Sequence, residues 1–128
     1  MKDNKLIAEF MGLENPFNEI NDATLYKYKG VDEKGEFQFN IELHEMKYHT
    51  SWDWLMPVVE KIESDERYDV EILQYGTRII ERTKTDWIEV VNNIADISFD
   101  SKIDHTYDAI VKFIKYCEKK SLIDSLDS

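Results

Sequence analysis

The chain holds one cysteine, Cys117, in 128 residues. A single cysteine supports neither an internal disulfide nor a cysteine-rich zinc site, and an intracellular, cytoplasmic location is the expectation. Long apolar runs are missing as well. None approaches the ~20 residues of a membrane helix, and the first ten residues contain no apolar stretch of signal-peptide length. Glycine and proline occur 4 and 2 times, so few long loops are expected. Gly-x-Gly-x-x-Gly, the phosphate loop and Gly-x-Ser-x-Gly do not occur, which leaves dinucleotide binding, phosphate-loop chemistry and the common serine hydrolases without their motifs. Positive charge is short too: 16 basic side chains stand against 27 acidic ones, a net charge of −11. A nucleic-acid backbone or an anionic membrane demands local positive charge. Direct binding to either is not expected, and a basic partner is.

What is present describes a packed fold. Hydrophobic residues make up 42% and aromatic residues 12%, far from the composition of disordered chains. A chain of this length fits one domain and can bury roughly 65–70% of its unfolded surface. Residues 3–11 have Leu6, Ile7, Phe10 and Met11 at helical spacing, with Asp3 as N-cap and Gly12 just past the end. Asn15-Pro16 and Asn21-Asp22 mark residues 13–23 as a connecting loop. Two strands follow, 24–29 and 36–43, joined by a longer loop bounded by Gly30 and Gly35. In the second, Phe37, Phe39, Ile41 and Leu43 alternate with polar residues, the pattern of a half-buried strand. Residues 51–64 read as a helix with Thr50 and Asp53 at capping-box spacing and Trp54, Leu55, Val58, Val59 and Ile62 as its buried stripe. Strands are expected at 69–74 and 77–82, with Gly76 marking the turn or a bulge. Residues 87–99 favour strand over helix, because Asn92-Asn93 and the β-branched content oppose helix. Residues 102–120 form an amphipathic helix, with Ile103, Tyr107, Ile110, Ile114 and Cys117 on one face and Ser101 with Asp104 at its start. Residues 121–128 read as a frayed tail. The expected fold is α+β: one antiparallel sheet of four to five strands in one domain, with helices packed mainly on one face.

Candidate chemistry is sparse. His44-Glu45 and His49 have two histidines five apart, whereas a zinc-protease helix needs them four apart to share a face, so no metal site is assigned. His105 is expected at the surface or partly packed. Cys117 reads as a small apolar residue on a helix face. Acidic residues cluster: residues 31–75 hold 12 acidic and 4 basic side chains, net −8. Within them Glu60, Glu63, Asp65, Glu66, Asp69 and Glu71 form a dense run without the glycine and phasing of a calcium loop. Trp52 and Trp54 point in different directions on a helix; Trp54 fits the core stripe, and Trp52 is a candidate aromatic anchor.

Three segments carry a resemblance: Lys5–Gly12 (KLIAEFMG), Tyr48–Glu63 (YHTSWDWLMPVVEKIE) and Lys102–Tyr116 (KIDHTYDAIVKFIKY). Their order and spacing resemble a family of small uncharacterised proteins found in bacterial genomes and their phages or prophages, with Ser-Trp-Asp-Trp-Leu-Met-Pro as the most specific part. The resemblance supplies a mobile-element setting and no activity, so no catalytic residue is carried over. In that setting small acidic proteins without active sites are often inhibitors of host defence, and the profile in size and charge is similar to that of some anti-CRISPR proteins. The implied partner is a basic, nucleic-acid-binding host protein such as a CRISPR nuclease.

The expected function is therefore non-enzymatic protein binding through Asp32 and Glu33 in the hairpin loop, Trp52, and Glu60, Glu63, Asp65, Glu66, Asp69 and Glu71, with no catalytic, cofactor or metal residues. The alternative is a small-ligand or regulatory domain, which requires a closed apolar pocket lined by Trp54, Phe37 and Phe39. An enzyme using scattered carboxylates would need two of them converging in a cleft.

Overall fold

The computed structural model describes residues 3–15, 24–94 and 101–127, the side chains of residues 31, 32 and 122–127 excepted. The architecture is α+β. In order it runs α1 (Asn4–Phe10), β1 (Leu25–Asp32), β2 (Gly35–Glu42), a 3-10 turn (Leu43–Glu45), α2 (Trp52–Glu63), β3 (Tyr68–Leu73), β4 (Gly76–Arg82), β5 (Trp87–Asn92) and α3 (Lys102–Asp127). The strands form two antiparallel sheets, β1-β2 and β3-β4-β5, not the single sheet expected. Pairing within each hairpin is local, but joining the hairpins would need a free edge on each. Local groups occupy part of the first sheet's edges: the Glu14 carbonyl accepts from Lys27 N–H, and the Glu45 carboxylate accepts from Glu42 N–H. The chain divides into two compact units, Met1–Lys47 and Tyr48–Ser128.

In the first unit, α1 buries Ile7 and Ala8. Gly12, at φ 75°, lies just past its end and supplies the left-handed residue that closes a helix. Asp3 sits at the N-cap without a side-chain cap bond. Asn4 is fully buried, and its Nδ2 donates to the carbonyls of Leu43 (2.9 Å) and Met46 (3.2 Å), tying α1 to the 3-10 turn. Tyr26, Ile41 and Met46 are buried with it. The hairpin is continuous from Leu25↔Glu42 to Asp32↔Gly35. Only Glu33 and Lys34 connect its strands, a shorter link than the loop expected between Gly30 and Gly35; both strands extend toward a turn closed by Gly35 at φ 115°. Most of the loop expected at 13–23 lies outside the described residues.

In the second unit, α2 buries Leu55, Val58, Val59 and Ile62, four of the five residues read as its stripe from their spacing. Its N-cap is Ser51 rather than Thr50, and the Ser51 carbonyl accepts from the N–H groups of Trp54 and Leu55. Trp54 is half-buried, edge-on to the Tyr48 ring at 5.2 Å. The strand reading of residues 87–92 holds. Residues 95–99 of that stretch lie outside the described residues. Ile79 pairs with Val91 and Ile80 with Glu89, so a bulge leaves Val90 unopposed.

Helix α3 begins with the Ser101 hydroxyl accepting from Asp104 N–H at 3.3 Å, as its sequence signature implies. It continues through Asp127, past the expected end at residue 120. The helix lies on one face of β3-β4-β5. Phe113 meets Tyr68 edge-on at 4.8 Å, and Ala109, Ile110, Val111 and Ile114 are buried around it.

That interface has a polar seam. His105, Thr106, Thr77 and Asn93 are all buried, and His105, at 5% exposed, is packed more deeply than the surface or partly packed position expected of it. Apolar spacing alone did not show it, because two threonines and an asparagine supply its partners. Thr106 donates to the Lys102 carbonyl (2.8 Å). By proton count, Thr77 then donates to Thr106 (2.9 Å) and accepts from His105 Nδ1 (2.7 Å). Asn93 Nδ2 donates to the His105 carbonyl and to Asp108, and Lys112 donates to Asn93 Oδ1. The seam fixes α3 to β4 and to the end of β5.

Candidate functional site

The outward side of α2 follows from helix geometry. Residues three and four apart share a face, so the stripe Leu55-Val58-Val59-Ile62 turns Asp53, Met56, Glu60 and Glu63 the other way. All four are exposed, Met56 at 37%. Trp52, one turn before Met56, is half-buried. Glu66, in the turn that follows, is exposed too. Among the described residues neither Glu60 nor Glu66 pairs with a cation, and Glu63 makes only a long contact to Val70 N–H at 3.5 Å. The result is a strip with an apolar middle, Trp52 and Met56, and carboxylates along its C-terminal half. Apolar anchors beside charge are what a protein interface uses. Met56 was not singled out from sequence, and Asp53 only for its place in a capping box, although the same periodicity that defines the buried stripe places both opposite it.

The rest of the acidic run behaves differently. Asp65 accepts from Arg67 Nη2 at 2.7 Å, and these hydrogen bonds hold its carboxyl below the usual carboxylate range. Asp69 accepts from Arg82 Nε at 2.7 Å, and Glu71 from Arg78 Nε at 3.0 Å. Arg78 also reaches Glu89 at 3.5 Å and lies over the Trp87 ring at 5.4 Å. Asp69 and Glu71 pair on the sheet face opposite α3, because Glu71 faces Arg78 in the register and Asp69 is diagonal to Arg82; the Asp65–Arg67 pair lies in the turn before β3. Asp65, Asp69 and Glu71 are therefore neutralised by the protein's own arginines, two of which lie on β4 outside the acidic segment. The nine expected contact residues separate accordingly. Asp32 and Glu33 belong to the first unit, where Asp32 ends β1 and Glu33 is exposed in the turn. Trp52, Glu60, Glu63 and Glu66 belong to α2 and its exit, Asp65 to the same exit turn but paired with Arg67, and Asp69 and Glu71 to the paired sheet face.

The small-ligand expectation needed Phe37 and Phe39 inside a closed pocket. Both are surface residues, at 38% and 42% exposure. Their rings lie parallel, 6.0 Å apart, and Phe39 is 5.2 Å from Tyr28. Phe37 lies on Gly30: a Cβ there would come within 2.5 Å of its ring. The groove beside them, about 450 Å³ and lined by Lys29, Gly30, Glu36, Phe37 and Gln38, is open.

His44 sits in the 3-10 turn and His49 in the loop before α2. Among the described residues no group of three or more His, Cys, Asp or Glu side chains is placed to hold a metal ion, and no helix is long and apolar enough to cross a membrane. Burial raises the Cys117 thiol above its ordinary range, which disfavours the thiolate a nucleophile would need. No family model, no curated protein and no solved structure matches the chain.

Proposed function

We propose that this chain is a non-enzymatic protein-binding domain that docks the outward face of α2 on a basic surface of a host protein. A surface that otherwise holds nucleic acid is the best match to the −11 charge. The observation that carries the reading is the difference between the two halves of the acidic run. Asp65, Asp69 and Glu71 have arginine partners, whereas Glu60, Glu63 and Glu66 stand exposed beside Trp52 and Met56. Unpaired carboxylates cost nothing in water and are available to an external cation. The phage or prophage setting, and with it an inhibitor of the anti-CRISPR kind, rests on the resemblance of the three sequence segments. A small-ligand domain is less well supported, since the aromatic residues meant to line its pocket are at the surface.

The test is capture from a bacterial host lysate with the wild-type chain and with the triple variant Glu60→Lys/Glu63→Lys/Glu66→Lys. A basic protein retained by the wild type, released as salt rises and lost by the variant supports the reading. Equal capture by both forms overturns it.

A further inference from the structure

We infer that the outward face of α2 binds the exposed line of α3 on a second copy of this chain, the two helices lying antiparallel; this occupant rests on the proposed role of α2 as a docking face. On α3, Lys112, Lys115 and Lys119 recur at steps of three and four, and all are exposed. Lys112 is engaged by its own chain, donating to Asp108 at 2.9 Å and to Asn93 Oδ1 at 2.8 Å. Lys115 and Lys119 pair with no carboxylate among the described residues. The helix dipole does not account for them: it acts within the last turn, and α3 runs on to Asp127 with no basic residue in its last turn. Glu118 is exposed as well, but it lies about 80° round the helix from the line through Lys115 and Lys119. The next two positions on that line are 122 and 126, both leucine in the sequence.

Helix α2 has the same pattern with the opposite charge. From its N-terminal end one line holds Trp52, Met56, Glu60 and Glu63. Taken from its C-terminal end, the line on α3 holds positions 126, 122, 119 and 115. Each line is about 16 Å long, and the intermediate positions agree within about 1.5 Å. Laid antiparallel, Trp52 and Met56 fall at the two leucine positions, Glu60 falls at Lys119 and Glu63 at Lys115. The parallel arrangement sets both glutamates on leucine positions and both lysines on Trp52 and Met56, so the direction is specified. Lys61, the one cation of α2, lies about 130° round the helix from the Glu60–Glu63 line.

The contact is not made within one chain, where Met56, Glu60, Glu63, Lys115 and Lys119 are all exposed. Each copy carries a charge of −11. Charges further apart than a Debye length, about 8 Å at physiological salt, are largely screened, whereas the paired groups touch. Made once, the contact leaves one α2 face and one α3 line free; made by both copies, it closes a two-fold dimer. Either form covers the carboxylates that the proposed function offers to a host protein, so host and second copy compete for one face.

Sedimentation equilibrium of the full chain measures the association. Two reversals are compared, Glu60→Lys/Glu63→Lys and Lys115→Glu/Lys119→Glu. Each exchange shifts the charge by two, so the net charge of −11 becomes −7 in the first and −15 in the second. Each should weaken association about tenfold or more, the first even though it reduces the overall repulsion. An equimolar mixture of the two variants should recover it, as should the chain with all four exchanges, whose net charge is again −11. The lysine reversal should leave capture of a basic host protein intact, so failure of the self-contact and failure of the proposed function are distinguishable. A wild-type chain that stays monomeric up to about 1 mM overturns the inference. So does association that survives the lysine reversal, or a four-exchange chain that fails to recover it.

Discussion

At residue scale, Gly76 is the position with least room. It opens β4, and a Cβ built on it would run into both the Asn93 carbonyl oxygen and Ile94 Cα. These are backbone atoms and cannot rotate aside. Gly76→Ala must push the start of β4 away from the segment that follows β5, where Asn93 N–H donates to the Thr77 carbonyl at 2.9 Å. Overpacking of this sort costs about 1–3 kcal/mol, and chemical denaturation should show a loss in that range. Gly30→Ala is a useful contrast, since the atoms it would meet belong to the Phe37 ring at the surface, which can turn away. The smaller loss expected there separates backbone crowding from glycine replacement in general. The sequence marked Gly76 as a turn residue. The close approach that makes it necessary depends on a segment 17 residues further on, which no local pattern reveals.

At the scale of elements, the polar seam under α3 makes stability depend on pH. Burial lowers the pKa of His105, and the Gln74 carbonyl and Asp104 oppose that only in part, with Lys102 adding to the lowering. The folded state therefore holds neutral imidazole where the unfolded chain, with a pKa of about 6.5, gains a proton. By linkage the stabilising contribution is complete above about pH 6.5 and is lost as pH falls from there through the lower folded value. His105→Asn retains a donor near the Nδ1 position and has no proton to gain. Urea unfolding at about pH 7.5 and 5.5 should show a smaller fall in stability for the variant than for the wild type. An equal fall would place the pH dependence elsewhere. Thr77→Val, which leaves the buried imidazole without its hydroxyl partner, should cost about 1–3 kcal/mol at neutral pH.

The same elements show what the sequence could and could not convey. Both hairpins, the buried stripe of α2 and the Ser101 start of α3 follow from local periodicity and turn chemistry, and the structure has them. Alternation in β2 indicated which residues share a face. It could not indicate that Phe37 and Phe39 remain uncovered, because covering depends on what lies across from the strand. The separation into two sheets was hidden for the same reason. The acidic run looked uniform along the chain, yet Arg78 and Arg82 reach two of its six residues, Glu71 and Asp69, only through the β3-β4 register.

At the scale of the whole molecule, the second unit contains its own core. Phe113 of α3 meets Tyr68 of β3, Thr77 of β4 meets His105 and Thr106, and Asn93, next after β5, meets Asp108. Lys120 closes the far end, donating to Glu81 at 3.0 Å. Burial alone would raise the Glu81 pKa, but hydrogen bonds from Lys120 and Tyr68 outweigh it and hold the carboxyl below its ordinary range. The first unit, by contrast, relies on a two-stranded ribbon, an arrangement that is marginal by itself, and a seven-residue helix. A fragment spanning Tyr48–Ser128 should therefore fold without the rest. Its denaturant transition should remain cooperative, with an m value about 0.6 of the full chain's, the ratio of 81 to 128 residues, because m follows the surface exposed on unfolding. Near-ultraviolet circular dichroism from Trp52, Trp54 and Trp87 should persist, since all three tryptophans lie in the fragment. A fragment with helical far-ultraviolet signal but no cooperative transition would show that residues 1–47 complete the second core.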